Sequence, residues 1–183
     1  IWITNFGSGS LRSANKLFGM PWSAPDLVPG SGNGAAYCDL AVAPNGDVTI
    51  VWFKAPADIV FASDRTLLGP WAAVPTTLSA GNAVYPRLGI DAVGNVIGTW
   101  EKNTNIFFAR KPFGSAVWGP VLTAYGLGGA FAPQISVNLA GDAALVWSGT
   151  AGVGAAYIPA NQVADPAIIL PGPRTSPDST PTI

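Results

Sequence analysis

Ala36–Trp52 reads AYCDLAVAPNGDVTIVW, Val84–Trp100 reads VYPRLGIDAVGNVIGTW, and Phe131–Trp147 reads FAPQISVNLAGDAALVW. Set one above another, they are a single motif written three times: an apolar stretch, a glycine turn, and an apolar run ending in tryptophan. Trp52, Trp100 and Trp147 stand 48 and 47 residues apart, and Gly46, Gly94 and Gly141, six residues earlier, keep that spacing. A second series, Trp22, Trp71 and Trp118, brings six of the seven tryptophans into the same period. A period of roughly 40–50 residues marks an array of like units, each too small to bury its apolar face alone.

The rest of each unit keeps the same beat. Asp58–Trp71, DIVFASDRTLLGPW, lies against Asn105–Trp118, NIFFARKPFGSAVW, and the N-terminal LRSANKLFGMPW falls into the same column. SANKLFG and FARKPFG share an offset of 95, two periods. Pro86, Pro133 and Pro181 stand 47 and 48 apart, with Cys38 at the preceding place. The chain is therefore expected to open partway through one repeat and to stop at the start of another, as a mature or excised piece would.

Inside a unit the apolar period is two, as in Val48-Thr49-Ile50-Val51-Trp52 and Ile59-Val60-Phe61-Ala62, which predicts strands. Pro44-Asn45-Gly46-Asp47, Ala92-Val93-Gly94-Asn95 and Leu139-Ala140-Gly141-Asp142 place glycine where a tight hairpin needs positive φ. Each unit then holds four short antiparallel strands: one before the glycine turn, one ending in Trp, one around the Phe-Ala or Ala-Ala pair, and one after the second Trp. No stretch has helical periodicity with caps. The expectation is an all-β protein, a β-propeller of four-stranded antiparallel blades with about four repeats in this chain. It divides into a partial blade at 1–34 and blades at 35–82, 83–129 and 130–175. Five prolines crowd the last twenty residues, so an edge strand is predicted at Ala167–Leu170, and 176–183 is a Pro-rich tail or a closing strand.

The sequence of apolar strand, Asp/Asn-x-x-Gly-Asn/Asp turn, strand ending in Trp, Ala-Arg strand and Gly-x-x-Trp resembles the repeats of bacterial extracytoplasmic β-propellers, sialidase-like ones above all. The opening Ile1–Gly7 is similar to an NHL-type blade. The resemblance covers about residues 1–170 and implies the fold. Sialidase chemistry is not implied by it, because the Asp box Ser-x-Asp-x-Gly-x-x-Trp is absent in that form.

Composition narrows function mainly by exclusion. Nine Lys plus Arg against ten Asp plus Glu leave a net charge of -1, no electrostatic footprint for nucleic acid. No apolar run reaches the ~18–20 residues of a membrane-spanning helix. With no histidine, the Ser-His and Cys-His pairs and most zinc or copper sites are gone. Cys38, the lone cysteine, makes no internal disulfide. Neither a P-loop, a GxGxxG after a strand nor a CxxC is present, so no cofactor is expected. Low charge with abundant Gly, Ala, Ser, Thr and Trp points to the extracellular space or a cell surface.

Three columns of the repeat carry candidate function. A Trp recurring in every blade packs between sheets, so Trp52, Trp100 and Trp147 are read as core; Trp22, Trp71 and Trp118 are the candidates for stacking on a sugar ring. Asp47, Asn95 and Asp142 come directly after the turn glycines and stabilise turns, since equivalent places on different blades lie too far apart to share a calcium ion. Asp39, Arg87 and Gln134, with Thr182, vary in type where a framework position would repeat. Being near the start of each first strand, they are expected to line a central channel, as a ligand site or as solvated lining, with Asp39 and Arg87 pairing across neighbouring blades. Glu101, the single glutamate, is read as a solvated rim residue, and no carboxyl pair suits glycoside hydrolysis. The reading is a non-catalytic binding or surface-structural propeller presenting loops to a glycan or protein partner. Its alternative is a fragment of a sialidase-like glycoside hydrolase or polysaccharide lyase. Further blades, or a second copy of the chain, would close the ring.

Overall fold

The computed structural model describes residues 2–4, 9–150, 152–161 and 168–170, and among them every regular element is a strand. The 176–183 segment, with Pro181 and Thr182, and the Ile1 and 5–7 portions of the opening motif lie outside the described residues.

The strands form four antiparallel sheets, each a meander in chain order. The first holds β1 (Trp2–Thr4), β2 (Ser10–Ser13) and β3 (Asp26–Leu27). The second holds β4 (Ala35–Val42), β5 (Val48–Lys54), β6 (Ile59–Arg65) and β7 (Thr76–Ser79). The third holds β8 (Ala83–Ile90), β9 (Val96–Lys102), β10 (Asn105–Lys111) and β11 (Leu122–Tyr125). The fourth holds β12 (Ala130–Val137), β13 (Ala143–Gly149), β14 (Gly152–Ile158) and the edge strand β15 (Ile168–Leu170).

The first hairpin of each four-stranded sheet turns on a glycine with positive φ: Gly46 (90°), Gly94 (105°) and Gly141 (92°). An acid or amide then ties that turn to the loop beyond the third strand. Asp47 Oδ1 accepts from Leu67 N at 3.0 Å, Asn95 Oδ1 from Phe113 N at 2.9 Å, and Asp142 Oδ1 from Ala160 N at 2.9 Å. Across the turn an acid faces an amide in reversed order, Asp91 with Asn95 in the third sheet and Asn138 with Asp142 in the fourth. Burial would raise the Asp91 carboxyl, but hydrogen bonds from the Asn95 side chain and from the backbone N–H groups of Asn95, Gly94 and Val93 outweigh it and hold the group below its ordinary range.

The second hairpin varies in length, and this corrects the repeat alignment by one residue. Lys54 pairs with Ile59 across a four-residue loop, whereas Lys102 pairs with Asn105 across Asn103 and Thr104, both at positive φ (50° and 58°). Trp52 therefore faces Phe61, Trp100 faces Phe107, and Trp147 faces Gly154. Phe61 corresponds to Phe107, not to Phe108.

The sheets stack face to face in chain order around three cores. Leu11 and Val28 of the first sheet meet Ile50, Trp52 and Trp71 of the second. Val51, Phe53 and Val60 on its other face meet Leu88, Val96 and Trp100 of the third. Ile97, Ile106 and Phe108 then meet Leu145, Trp147 and Ile158 of the fourth. Each strand-end tryptophan thus faces back onto the preceding sheet, with Trp52 and Trp100 at 0% exposure and Trp147 at 3%. Truncating an indole so buried costs about 3–5 kcal/mol. The first strands lie side by side, β8 between β4 and β12. Strands β5 and β9 are covered on both faces, but β13 alternates buried and exposed, so the fourth sheet has one open face.

Candidate functional site

The first strand of each four-stranded sheet is interrupted at one place. Pairing to the second strand shifts between Ala36 and Asp39, between Val84 and Arg87, and between Phe131 and Gln134. The first residue inside each break has positive φ without being glycine: Tyr37 (41°), Tyr85 (52°) and Ala132 (50°). Left-handed backbone at such residues costs about 1 kcal/mol or more, and bulges of this kind re-aim the side chains beyond them.

Directly past each bulge stands the column Asp39, Arg87 and Gln134. Paired with Val51, Thr99 and Val146, these three occupy equivalent places on neighbouring strands, each on the face that looks toward the next sheet. Asp39 crosses the first of these junctions: its Oδ2 accepts from Leu88 N at 3.0 Å and its Oδ1 from Leu40 N at 2.9 Å. Its partner in the third sheet is the backbone beside Arg87, so the expected Asp39–Arg87 ion pair does not form; among the described residues the ion pair is Lys111–Asp64. Gln134 is exposed because no described sheet covers the fourth.

The same bulges bring up aromatic rings. The Tyr37 ring stacks on Phe53 at 5.6 Å between centroids and meets Tyr85 edge-on at 4.9 Å, while remaining 41% exposed. Tyr37 and Tyr85 occupy one column of the motif, two residues before Asp39 and Arg87, and that repetition is the signal that marks them in the sequence. Between them and the charged pair, Cys38 is half-buried, and burial raises its thiol above the ordinary value. A two-tyrosine edge beside a carboxylate, a guanidinium and an amide can stack on one face of a hydroxylated ligand and hydrogen-bond its rim.

Glu101 is not a rim residue. It is buried on β9, and its Oε2 accepts from Ala132 N, the bulge residue of β12, at 3.2 Å. Burial pushes its carboxyl up against the opposing pull of that bond.

The second tryptophan series separates into three situations. Trp71 is buried, donates from Nε1 to Ser13 Oγ at 2.9 Å, and carries the Arg65 guanidinium 5.0 Å from its ring centroid. Trp118 is half-buried over Gly98, with an Nε1 that finds no partner. Trp22 is 67% exposed. The three rings differ in exposure, with Trp71 buried, Trp118 half-buried and Trp22 largely exposed, so they do not form one set of equivalent stacking platforms.

A cleft of about 590 Å³ opens at the margin of the second and third sheets, lined by Thr49, Asp64, Trp71, Val96, Lys111 and Phe113. Lys111 Nζ sits 2.7 Å from Asp64 Oδ1, which also accepts from Thr49 Oγ1 at 2.6 Å. These polar groups satisfy one another, and the sequence alone does not single them out because the partners lie 47 residues apart on different sheets. Among the described residues no cluster of His, Cys, Asp and Glu has the makings of a metal site.

No protein-family model matches the chain, and no curated protein does.

Proposed function

We propose that this chain is a run of β-propeller blades whose role is non-catalytic binding outside the cell, with a glycan as ligand. The propeller reading is supported by four antiparallel meanders in chain order, stacked face to face, with their first strands side by side. The observation that carries the binding reading is the edge formed by Tyr37 and Tyr85 next to Asp39 and Arg87, where strained bulges recur at one place in successive first strands. Framework positions account for the buried tryptophans, and this edge brings aromatic rings next to hydrogen-bonding groups where Tyr37 is exposed. Low charge and abundant small residues support the extracellular setting.

A glycan array probed with the intact chain tests the reading. Binding to a saccharide class that weakens at least ~10-fold in Tyr37→Ala or Tyr85→Ala, and not in Trp22→Ala, is the expected result. An array without binding, or binding indifferent to both tyrosines, would refute it.

A further inference from the structure

The stack presents the same interface three times and leaves both halves of a fourth uncovered. On the forward face of the fourth sheet, Val146 is 45% exposed and Val153 is 51% exposed. Register makes Val146 the counterpart of Val51 and Thr99, which are 1% and 0% exposed, and Val153 the counterpart of Val60 and Ile106, both at 0%. Those residues are buried because the next sheet lays its tryptophans on them. At the other end of the stack, the first sheet shows Trp22 at 67% and Leu27 at 51%. Trp22 stands where Trp71 and Trp118 stand in the second and third sheets, where both pack back onto the preceding sheet.

The polar positions also match. At the junction of the second and third sheets, Lys111 reaches back to Asp64. Its counterpart in the first sheet is the exposed Lys16, in the aligned SANKLFG and FARKPFG stretches. The counterpart of Asp64 on the fourth sheet is Tyr157, beside Asp142. A lysine brought there meets a phenol oxygen and a carboxylate, which supply acceptors for its charge.

We infer that these two faces are complementary halves of one interface, and that a second copy of this chain seats its first sheet on the fourth sheet of its neighbour. The contact is head to tail: it repeats the sheet-on-sheet packing already made inside the chain, and it either closes with two copies or continues to larger assemblies. The inference deepens the blade reading above and does not depend on the ligand.

Light scattering coupled to size exclusion, on the intact chain over a range of concentrations, reads the outcome. A species of twice 18.7 kDa, or a series of multiples, is expected. A monomer of 18.7 kDa throughout overturns the inference. Trp22→Arg and Val146→Asp, both at exposed positions, should keep the far-UV spectrum of the parent and weaken self-association at least ~30-fold, as loss of a central contact does. Mixed in equal amounts they should associate again, because one chain keeps an intact fourth sheet and the other an intact first sheet. If Trp22→Arg alone still dimerises, or if the mixture stays monomeric, the head-to-tail arrangement is wrong. Glycan binding by a monomer would sink this inference and leave the binding proposal standing, and a dimer that binds no glycan would do the reverse.

Discussion

Gly154→Ala is the sharpest test of how the sheets are packed. In the second and third sheets the residue facing the strand-end tryptophan is a phenylalanine, Phe61 or Phe107; in the fourth it is Gly154. Trp52 and Phe61 stack with centroids 5.7 Å apart, whereas Trp147 lies down over Gly154 and takes its ring contact from Tyr125 of the preceding sheet at 5.2 Å. A Cβ built on Gly154 falls within the indole, against Cε2, Nε1 and Cζ2 of Trp147. The indole, only 3% exposed between two sheets, has nowhere to retreat.

Overpacking of this kind costs about 1–3 kcal/mol. Replacing glycine at an ordinary φ gives back about 0.4–1 kcal/mol by restricting the unfolded chain. The net expectation is a loss of about 1–2 kcal/mol, which for a domain of this size lowers Tm by roughly 2–8 °C. Gly98→Ala is the internal control: its added Cβ meets Trp118 at 3.2–3.3 Å, and that indole is half-buried and can shift, so the two effects nearly cancel. Urea unfolding followed by tryptophan fluorescence measures both. In a Trp147→Leu background, Gly154→Ala should cost at least about 1 kcal/mol less than it does alone. A Gly154→Ala protein as stable as the parent would refute the packing argument.

Asn95→Ala removes the bond to Phe113 N and the amide facing Asp91, and urea midpoints should show a loss of about 1–2 kcal/mol. Lys111→Met leaves the Asp64 carboxylate to Thr49 alone and should cost about 1–2 kcal/mol; adding Asp64→Leu should recover most of that loss, as a double-mutant cycle in denaturant would show. Glu101→Gln tests the buried carboxyl. Because burial raises its folded pKa, the contribution of Glu101 is greatest below the ordinary Glu value of about 4.3 and is lost as pH rises from there through the folded value. The variant should match the parent near pH 3 and exceed it near pH 7, and equal stabilities at both would count against a buried acid. Asp91, held down by its hydrogen bonds, works in the opposite sense in both proteins: its contribution is present above about pH 4 and lost as pH falls through the folded value.

The architecture is legible because its strongest determinants are spaced regularly: turn glycines that need positive φ and tryptophans that must be buried. The third strands align wrongly by period alone because loop length is not a periodic property. Ala55–Asp58 and Asn103-Thr104 differ by two residues, and the adjacent Phe107 and Phe108 make either register look apolar. The place of Glu101 after Trp100 suggests a solvated residue, yet β9 runs on past the tryptophan and carries the glutamate into the next junction. For the Asp39 column the repeat shows the position but not the direction. A bulge at Tyr37, Tyr85 or Ala132 uses no glycine, and Pro86 and Pro133 inside two of the breaks mark an interruption without saying which face the next side chain takes.

The side chains that cross the junctions, Asp39 among them, differ from one junction to the next. Backbone bonds join successive sheets in a uniform way, as with Ala83 N to Asp58 O and Ala130 N to Thr104 O, and would serve any order of sheets. Side chains do not repeat in this way. The first junction uses Trp71 Nε1 on Ser13; the second uses Asp39 on Leu88 N and Lys111 on Asp64. The third uses Glu101 on Ala132 N, with Arg110 donating to the carbonyls of Gly141 and Pro159. Setting the fourth sheet on the second would bring Ile158 to the place of Lys111 and leave Asp64 facing an apolar surface. Such an error costs more than a well-made hydrogen bond returns. Near-identical repeats are prone to pairing out of order, and a different polar contact at each junction makes the native order the arrangement in which Lys111, Asp64 and Glu101 find their partners.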